Sequence, residues 1–286
     1  MRRSIGILFG CSLLACGAVE AGQGRLLATG GASQLEGSAG GGIVPWAVLA
    51  GYGTRDENGG TAFATRVDTG DYALDAFGAA WTFRNRLEVS VARQRFDLGR
   101  LRRDLGLPWA ALEQDILGAK LRLGGDLVYG DWPQLSIGVQ HKRLRDPALP
   151  LAVGARSGSG SDVYVAASRL FLDAAGGYPL LLNLGVRSSN GNQLGLLGFG
   201  GDQRQGRSLL WEASVAVLPS PRWAVGVEYR QKPDNLGFAR EDDWLDGFVA
   251  WFPDKRVAVV AAWAELGDIA TLSNQRGGYL SLQVSF

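Results

Sequence analysis

The sequence predicts an all-β protein: a transmembrane, antiparallel, up-and-down β-barrel of about fourteen strands, with twelve as the alternative count. Three observations predict it. The chain ends on a strand, the segments before it keep period two, and the connections between segments alternate between short and long. In Leu280-Ser281-Leu282-Gln283-Val284-Ser285-Phe286, Leu280, Leu282, Val284 and Phe286 share one face and the polar residues share the other, as a strand with one apolar side requires. A strand that runs to the last residue must be paired or it frays, so Phe286 is expected as a C-terminal assembly signal.

Segments of this kind recur upstream. Leu209, Trp211, Ala213 and Val215 alternate with Leu210, Glu212 and Ser214, and Trp223, Val225, Val227 and Tyr229 with Glu228 and Arg230. Further segments are centred on Leu180–Arg187, Leu135–Gln140, Leu117–Gly124 and Leu87–Ala92. Strands near 47–54, 61–67, 73–83, 161–171, 244–252 and 256–266 are less regular. Residues 25–36 could add one more, which makes fourteen; if 47–67 is a plug or a bent lead-in, twelve remain. Arg84-Asn85, Gly130–Pro133, Asp173–Pro179, Pro219–Pro221 and Pro253–Lys255 are tight and rich in turn formers. Longer polar stretches fall at 97–114, 146–160, 189–206, 231–243 and 267–277. Short turns on one side and long loops on the other are the asymmetry of outer-membrane barrels.

The N-terminus reads as a secretory signal peptide. Met1-Arg2-Arg3-Ser4 is basic, residues 5–15 are apolar, and Val19-Glu20-Ala21 places small residues at the cleavage positions. The apolar run is shorter than the roughly 20 residues a spanning helix needs. Cys11 and Cys16, the only cysteines, fall inside it. A lipoprotein processed at Cys16 is the alternative to cleavage after Ala21. The organisation expected is therefore a signal over 1–21, a glycine-rich first strand or plug over 22–46, and a barrel over 47–286.

Composition excludes several classes. The formal charge of the 286-residue chain is +1 with no basic stripe, a poor basis for nucleic-acid binding. The 42 glycines follow no triplet period, which excludes collagen. There is one histidine, and the cysteines lie in the signal, so no metal site and no cofactor is expected.

Aromatic residues are expected in two girdles at headgroup level. Trp81, Trp132, Trp223 and Trp251 lie near the short turns, and Trp211, Trp244 and Trp263 at the opposite strand ends. Parity assigns Arg66, Glu88, Lys120, Arg122, Asp126, Gln140, Lys142, Asn183, Arg187, Glu212, Glu228, Arg230 and Gln283 to the lumen. A mixed-charge lumen suits a narrow aqueous channel of little net selectivity, or a barrel closed by its own ion pairs. Leu98, Leu101 and Leu105 recur at helical spacing among Arg100, Arg102 and Arg103; this helix is expected to constrict the pore or to lie on lipopolysaccharide.

His141 is the one candidate catalytic base, and Ser188-Ser189-Asn190-Gly191 is similar to part of the outer-membrane phospholipase signature. A rim histidine is the simpler reading, and no catalytic residue is assigned. Gly198–Gly201 lacks the lysine of a phosphate loop, and Glu241-Asp242-Asp243 lacks calcium-loop spacing.

Residues 24–56 resemble the opening of an uncharacterised outer-membrane family of Gram-negative bacteria. The resemblance rests on Thr29-Gly30-Gly31, Ser33, Glu36-Gly37, Ala39–Gly42, Pro45-Trp46-Ala47 and Gly51–Thr54, with Thr65–Tyr72 and Ala92–Phe96 further on. It implies a barrel in the outer membrane and carries no substrate or site.

The function expected is passive passage of small polar solutes through a porin-like channel. The alternatives are a transporter of apolar compounds, suggested by Leu194, Leu196, Leu197 and Phe199, and a structural barrel with no open pore; a lipid hydrolase ranks last. Partners expected for such a barrel are outer-membrane lipids and lipopolysaccharide, the barrel-assembly machinery with periplasmic chaperones, and small solutes.

Overall fold

The computed structural model describes residues 24–286; the expectations for 1–21 lie outside the described residues. The alternating segments close into one barrel of twelve antiparallel strands, the smaller of the two expected counts. Two short strands, β1 (Ala32–Ser33) and β2 (Ala39–Gly40), form a separate ribbon. The barrel runs from β3 (Gly59–Asp68), β4 (Ala73–Phe83), β5 (Leu87–Asp97) and β6 (Ala111–Gly124) through β7 (Gln134–Leu144), β8 (Ser159–Ala175) and β9 (Tyr178–Ser189). It continues with β10 (Ser208–Ser220), β11 (Trp223–Arg230), β12 (Trp244–Trp251), β13 (Val257–Ile269) and β14 (Leu272–Ser285).

Every strand pairs with its sequence neighbours, and β14 closes the ring on β3 with Leu280 opposite Arg66 and Ser285 opposite Thr61. Just beyond β14, Phe286 and Gly60 exchange two backbone hydrogen bonds of 2.7 and 2.9 Å. An even number of strands puts the start of β3 and the end of the chain at one rim. The connections at that rim include the three-residue turn 84–86, the two-residue turns 176–177 and 221–222, and 252–256. The opposite rim carries the loops 98–110, 145–158, 190–207 and 231–243. One expected loop is absent: around 267–277 the chain stays in β13 and β14 and reverses at Ala270-Thr271, with Ala270 left-handed at φ 52°.

The wall sorts residues by parity. On β12, Trp244, Asp246, Phe248 and Ala250 are buried inward while Leu245, Gly247, Val249 and Trp251 face out. On β10, Leu210, Glu212, Ser214 and Ala216 point in, and Leu209, Trp211 and Val215 point out. The outer face is a belt of exposed aliphatic and aromatic side chains, among them Val91, Leu117, Leu184, Leu209, Val225 and Leu280. Such a surface is stable only when something apolar covers it; hydrocarbon does so for a transmembrane barrel.

A barrel of this circumference is wider than the eight-strand class whose side chains fill the interior. Here part of the chain fills it. The segment before β3 folds into the lumen, and every residue from Thr29 to Gly53 is buried. The strand expected over 47–54 is part of this plug. The reason is local: Gly37, Gly41, Gly42 and Gly51 interrupt any longer ladder, and pairing is limited to the two-residue ribbon β1–β2 and a single bridge between Gly40 and Pro45. The helix expected over 97–114 is only seven residues long, α1 (Gly99–Leu105), and is stopped by Gly106 in the left-handed conformation. Leu98 and Leu101 pack inward at the rim, while Arg100, Arg102 and Arg103 are exposed. They do not enter the lumen.

Candidate functional site

A buried segment with almost no secondary structure leaves its peptide groups in need of partners, and each one left without costs about 1–3 kcal/mol. The inward polar residues of the wall supply them. On β5 and β6, Glu88 accepts the amides of Ala39 (3.2 Å) and Ala50 (2.8 Å), while Lys120 donates to the carbonyls of Ala39 (2.7 Å) and Val48 (2.8 Å). The two side chains are themselves paired at 3.4 Å. On β7 and β8, Gln134 and Ser136 donate to the Ala47 carbonyl, both at 2.6 Å, and Ser168 accepts the Ala47 amide at 2.9 Å.

On β11, Glu228 accepts the amides of Gly42 (2.5 Å) and Ile43 (2.9 Å) and the Trp46 indole (3.2 Å). This approach explains the glycine run: a Cβ on Gly41 would overlap the Glu228 carboxylate. Arg230 donates to the Ile43 carbonyl at 2.8 Å, Gln94 to that of Leu35 at 2.9 Å, and Asn183 to that of Pro45 at 3.4 Å. Ser33 of the plug donates to Gln283 at 2.8 Å.

At the centre is a charge cluster with both plug and wall in it. Lys142 of β7, Arg187 of β9 and Arg230 of β11 converge on Glu36, the one carboxylate of the plug among them. Arg230 Nη1 lies 2.9 Å and Arg187 Nη2 3.7 Å from Glu36, and the Lys142 ammonium makes the shortest contact. The wall adds Asp162, 2.6 Å from Lys142, and Glu212, 2.6 Å from Arg187. All six side chains are at most 2 % exposed. The wall thus contributes three cations and two anions, and Glu36 brings the third anion. Buried charges must be matched in this way, because removing one partner costs about 3–5 kcal/mol.

The loop 190–207 closes the lumen from the other rim. Residues 191–201 are buried, with Leu194, Leu196, Leu197 and Phe199 at most 5 % exposed. Phe199 seats on Gly160, where any side chain would collide with its ring. The Leu194 carbonyl accepts from Lys142 (3.0 Å) and Gln114 (3.3 Å). The Gln193 amide donates to both oxygens of Glu241 at 2.7 and 3.0 Å. Glu241 is buried beside Lys232, 3.5 Å away, and burial pushes its carboxyl up to about 7. Burial likewise lowers the Lys232 ammonium.

The sequence-assigned lumen residues therefore divide. Glu88, Lys120, Arg122, Gln140, Lys142, Asn183, Arg187, Glu212, Glu228, Arg230 and Gln283 point inward, yet most of them contact the plug or one another rather than a wet pore. Arg66 is on the outer face, 56 % exposed and paired with Asp75 at 2.8 Å; β3 buries its odd-numbered residues, so Val67 and not Arg66 points in. Asp126 is in the turn after β6, 3.4 Å from Arg122 and 47 % exposed. Of the girdle, Trp132, Trp211, Trp223, Trp251 and Trp263 are on the outside, and Trp81 packs beside Phe286 with ring centres 5.9 Å apart. Trp244 is inside, 4 % exposed under the Lys232 ammonium.

Glu36, Asp162, Gln94, Gln114 and Asp246 are lumen residues that the sequence reading did not assign. Asp162 was legible, because Asp162, Tyr164, Ala166 and Ser168 alternate along β8. Asp246 faces Glu228 across the β11–β12 pair, and neither of its carboxylate oxygens has a hydrogen-bond partner among the described residues.

His141 is on the outer face, and its Nδ1 lies 2.9 Å from Ser161 Oγ. Ser188 instead accepts from Arg207. The Ser161–His141 distance suits a nucleophile and base, but no described residue hydrogen-bonds the other ring nitrogen to orient it.

The family model described as "Protein of unknown function (DUF3034)" matches residues 29–283. The chain belongs to that family. The match takes in the plug as well as the barrel, so both are parts of one family unit. No curated protein matches the sequence. Among solved structures, the KdgM porin aligns at 10 % identity over 80 % of this chain and 99 % of its own, with a TM-score of 0.49. The Acinetobacter baumannii outer membrane protein Omp33 aligns at 10 % identity over 82 % and 99 %, with a TM-score of 0.42. The NanC porin aligns at 9 % over 79 % and 98 %, with a TM-score of 0.45.

Proposed function

We propose that the protein is an integral β-barrel of the outer membrane and a porin-like channel for small polar solutes, held shut by its own N-terminal segment. The apolar outer belt supports the membrane reading, because charged side chains at a bilayer midplane cost about 2–4 kcal/mol and an apolar wall avoids that cost. The observation that carries the channel reading is the chemistry between plug and wall. Besides packing Leu35, Ile43, Val44, Trp46 and Val48 into the apolar core of the barrel, the plug has its backbone bonded by charged and polar wall side chains, contacts that water or a polar solute can replace. A lumen meant only to be solid could be filled by interlocking apolar side chains alone, without that set of buried charges.

The apolar-transport reading has less support. Leu194, Leu196, Leu197 and Phe199 are used up in the lid, and the apolar gaps beside the plug hold only about 30 Å³ each. The outer rim surface, with lipid around it, is the expected contact for lipopolysaccharide.

The test is a reversible lock. Ser33 Oγ of the plug and Thr61 Oγ1 of β3 are 3.4 Å apart, so Ser33→Cys with Thr61→Cys places two thiols within bonding reach, and the described residues hold no other cysteine. In planar bilayers the reduced double variant is expected to give stepwise currents that oxidation abolishes. Equal currents in both states would put the conducting path elsewhere. Silence in both, and in the wild type, would leave a structural barrel.

A further inference from the structure

We infer that the seat of Glu36 is a binding site for a carboxylate-bearing solute, and that Glu36 is a tethered stand-in for that solute. The inference rests on the channel reading and adds the class of solute and the way in which it opens the channel. Three cations from three different strands surround one carboxylate, and each of them also has a carboxylate of the wall as a partner, although Arg230 donates to the plug carbonyl of Ile43 as well. Arg187 lies over the Tyr164 ring at 4.9 Å, donates to Gln140 at 2.8 Å and is braced by Glu212. Lys142 is fixed by Asp162, and Arg230 by Glu212 at 3.3 Å. The two wall carboxylates leave one positive charge uncompensated once Glu36 is gone. A guanidinium pair with an ammonium between wall carboxylates is a preorganised receptor for a small planar anion.

The same cluster connects the two closures. Lys142 donates both to Glu36 of the plug and to the Leu194 carbonyl of the loop 190–207. A second path runs alongside: Gln94 donates to Leu35 of the plug and accepts from Gln114, which also donates to Leu194. A carboxylate that displaces Glu36 therefore removes the plug's one ionic anchor in the cluster and disturbs the residue that holds the lid. The ligand shifts the balance only by its preference for the open state, and here that preference has a source: in the closed state the seat is already taken.

Two measurements on the full chain test this. In bilayers, succinate is expected to raise the open probability of the wild type, with glucose and acetamide inert. Glu36→Gln is expected to raise it without ligand, by roughly 5–150-fold, the span of an ordinary coupling energy. In that variant, succinate should then cause brief blocks of the open current, and adding Arg230→Gln should weaken the block about tenfold by removing one charge-assisted contact. An open Glu36→Gln channel that treats succinate and glucose alike would overturn the inference while leaving the channel reading intact.

The second measurement needs no current. The folded fraction of Glu36→Ala in detergent, read by its heat-dependent gel mobility, should be restored by acetate and not by acetamide. Failure of acetate to restore it would sink the carboxylate seat whether or not the barrel conducts. Rescue together with silent bilayers would keep the seat and remove the channel.

Discussion

The plug and the loop 190–207 both fill the lumen and both pack apolar side chains into one core, but they differ in how the wall meets their backbones. The plug carries its polar backbone into the barrel and is met by Glu88, Lys120, Gln134, Ser136, Glu228 and Arg230, largely through hydrogen bonds to peptide groups. The loop presents Leu194, Leu196, Leu197 and Phe199, and its hydrogen bonds to the barrel strands are fewer, with Lys142 and Gln114 at Leu194, while Glu241, Lys232 and Asn235 of the neighbouring loop hold Gln193 and Asn192. A closure held by charges is all-or-none, because each buried ion left alone is costly. A closure held by leucines loosens by degrees. The difference suggests a tight inner gate and a softer outer lid.

Arg187→Ala should break the comparison most severely. It leaves Glu36, Asp162 and Glu212 with two cations in a dry site, so the loss of stability should be about 3–5 kcal/mol, read as a lower urea midpoint of tryptophan fluorescence. A loss below about 1 kcal/mol would mean that the cluster is wet, which is the outcome that the lumen reading from sequence alone would favour. Leu196→Ala should cost about 2–4 kcal/mol, but locally: protease cleavage within 190–207 should accelerate while cleavage within the plug does not. Equal acceleration in both would make the two closures one cooperative unit.

The third test is pH. The Glu241 carboxyl is raised from its ordinary 4.5 to about 7 by burial. A raised carboxyl favours the docked loop below 4.5 and loses that contribution as pH rises through about 7. Lys232, lowered by the same burial, contributes with the opposite sign, favouring the docked loop as pH rises. Protection of residues 192–199 from hydrogen exchange is therefore expected to fall between pH 5 and 8, and Glu241→Gln to flatten the profile; a rise over the same range would reverse the assignment. The smallest effect is expected of Arg66→Ala, within about 0.5 kcal/mol, because its pairs with Asp75 and Asp68 are solvent-exposed. A large effect would place Arg66 against something other than water.

The barrel was legible because each strand announces itself locally: Leu209 to Val217 and Trp223 to Arg230 carry their own inside and outside. Where parity slipped, the cause is also local. Between Thr61 and Asp68 one face joins Phe63 and Val67 to two threonines and the other joins Ala62 and Ala64 to Arg66 and Asp68, so neither face is plainly the lipid side, and Trp244 could be taken for a girdle residue because it starts a strand. The plug was harder to see. Nothing in Thr29–Gly53 has a period, and its partners are up to 250 residues away in sequence, as with Ser33 and Gln283. The inward charges were visible, but what they bind was not, since a charge facing a lumen looks the same in sequence whether water or a peptide carbonyl meets it.

The closing seam adds a constraint in time. The plug leads directly into β3, and β3 is joined in the ring by β14, the last strand made. Until Phe286 meets Gly60 the cylinder has an open side, and the buried chain must already be threaded into place by then or pass later through a rim. Most of the wall residues that grip it lie on strands β5 to β11, made before the seam can close, and Gln283 of β14, which accepts from Ser33, arrives last. Assembly thus has a natural order in which the occupant is gathered by the half-built wall and the final hydrogen bonds seal it in. A chain shortened by its last few residues would lose more than a strand end: it would lose the clasp that turns a loaded sheet into a sealed container.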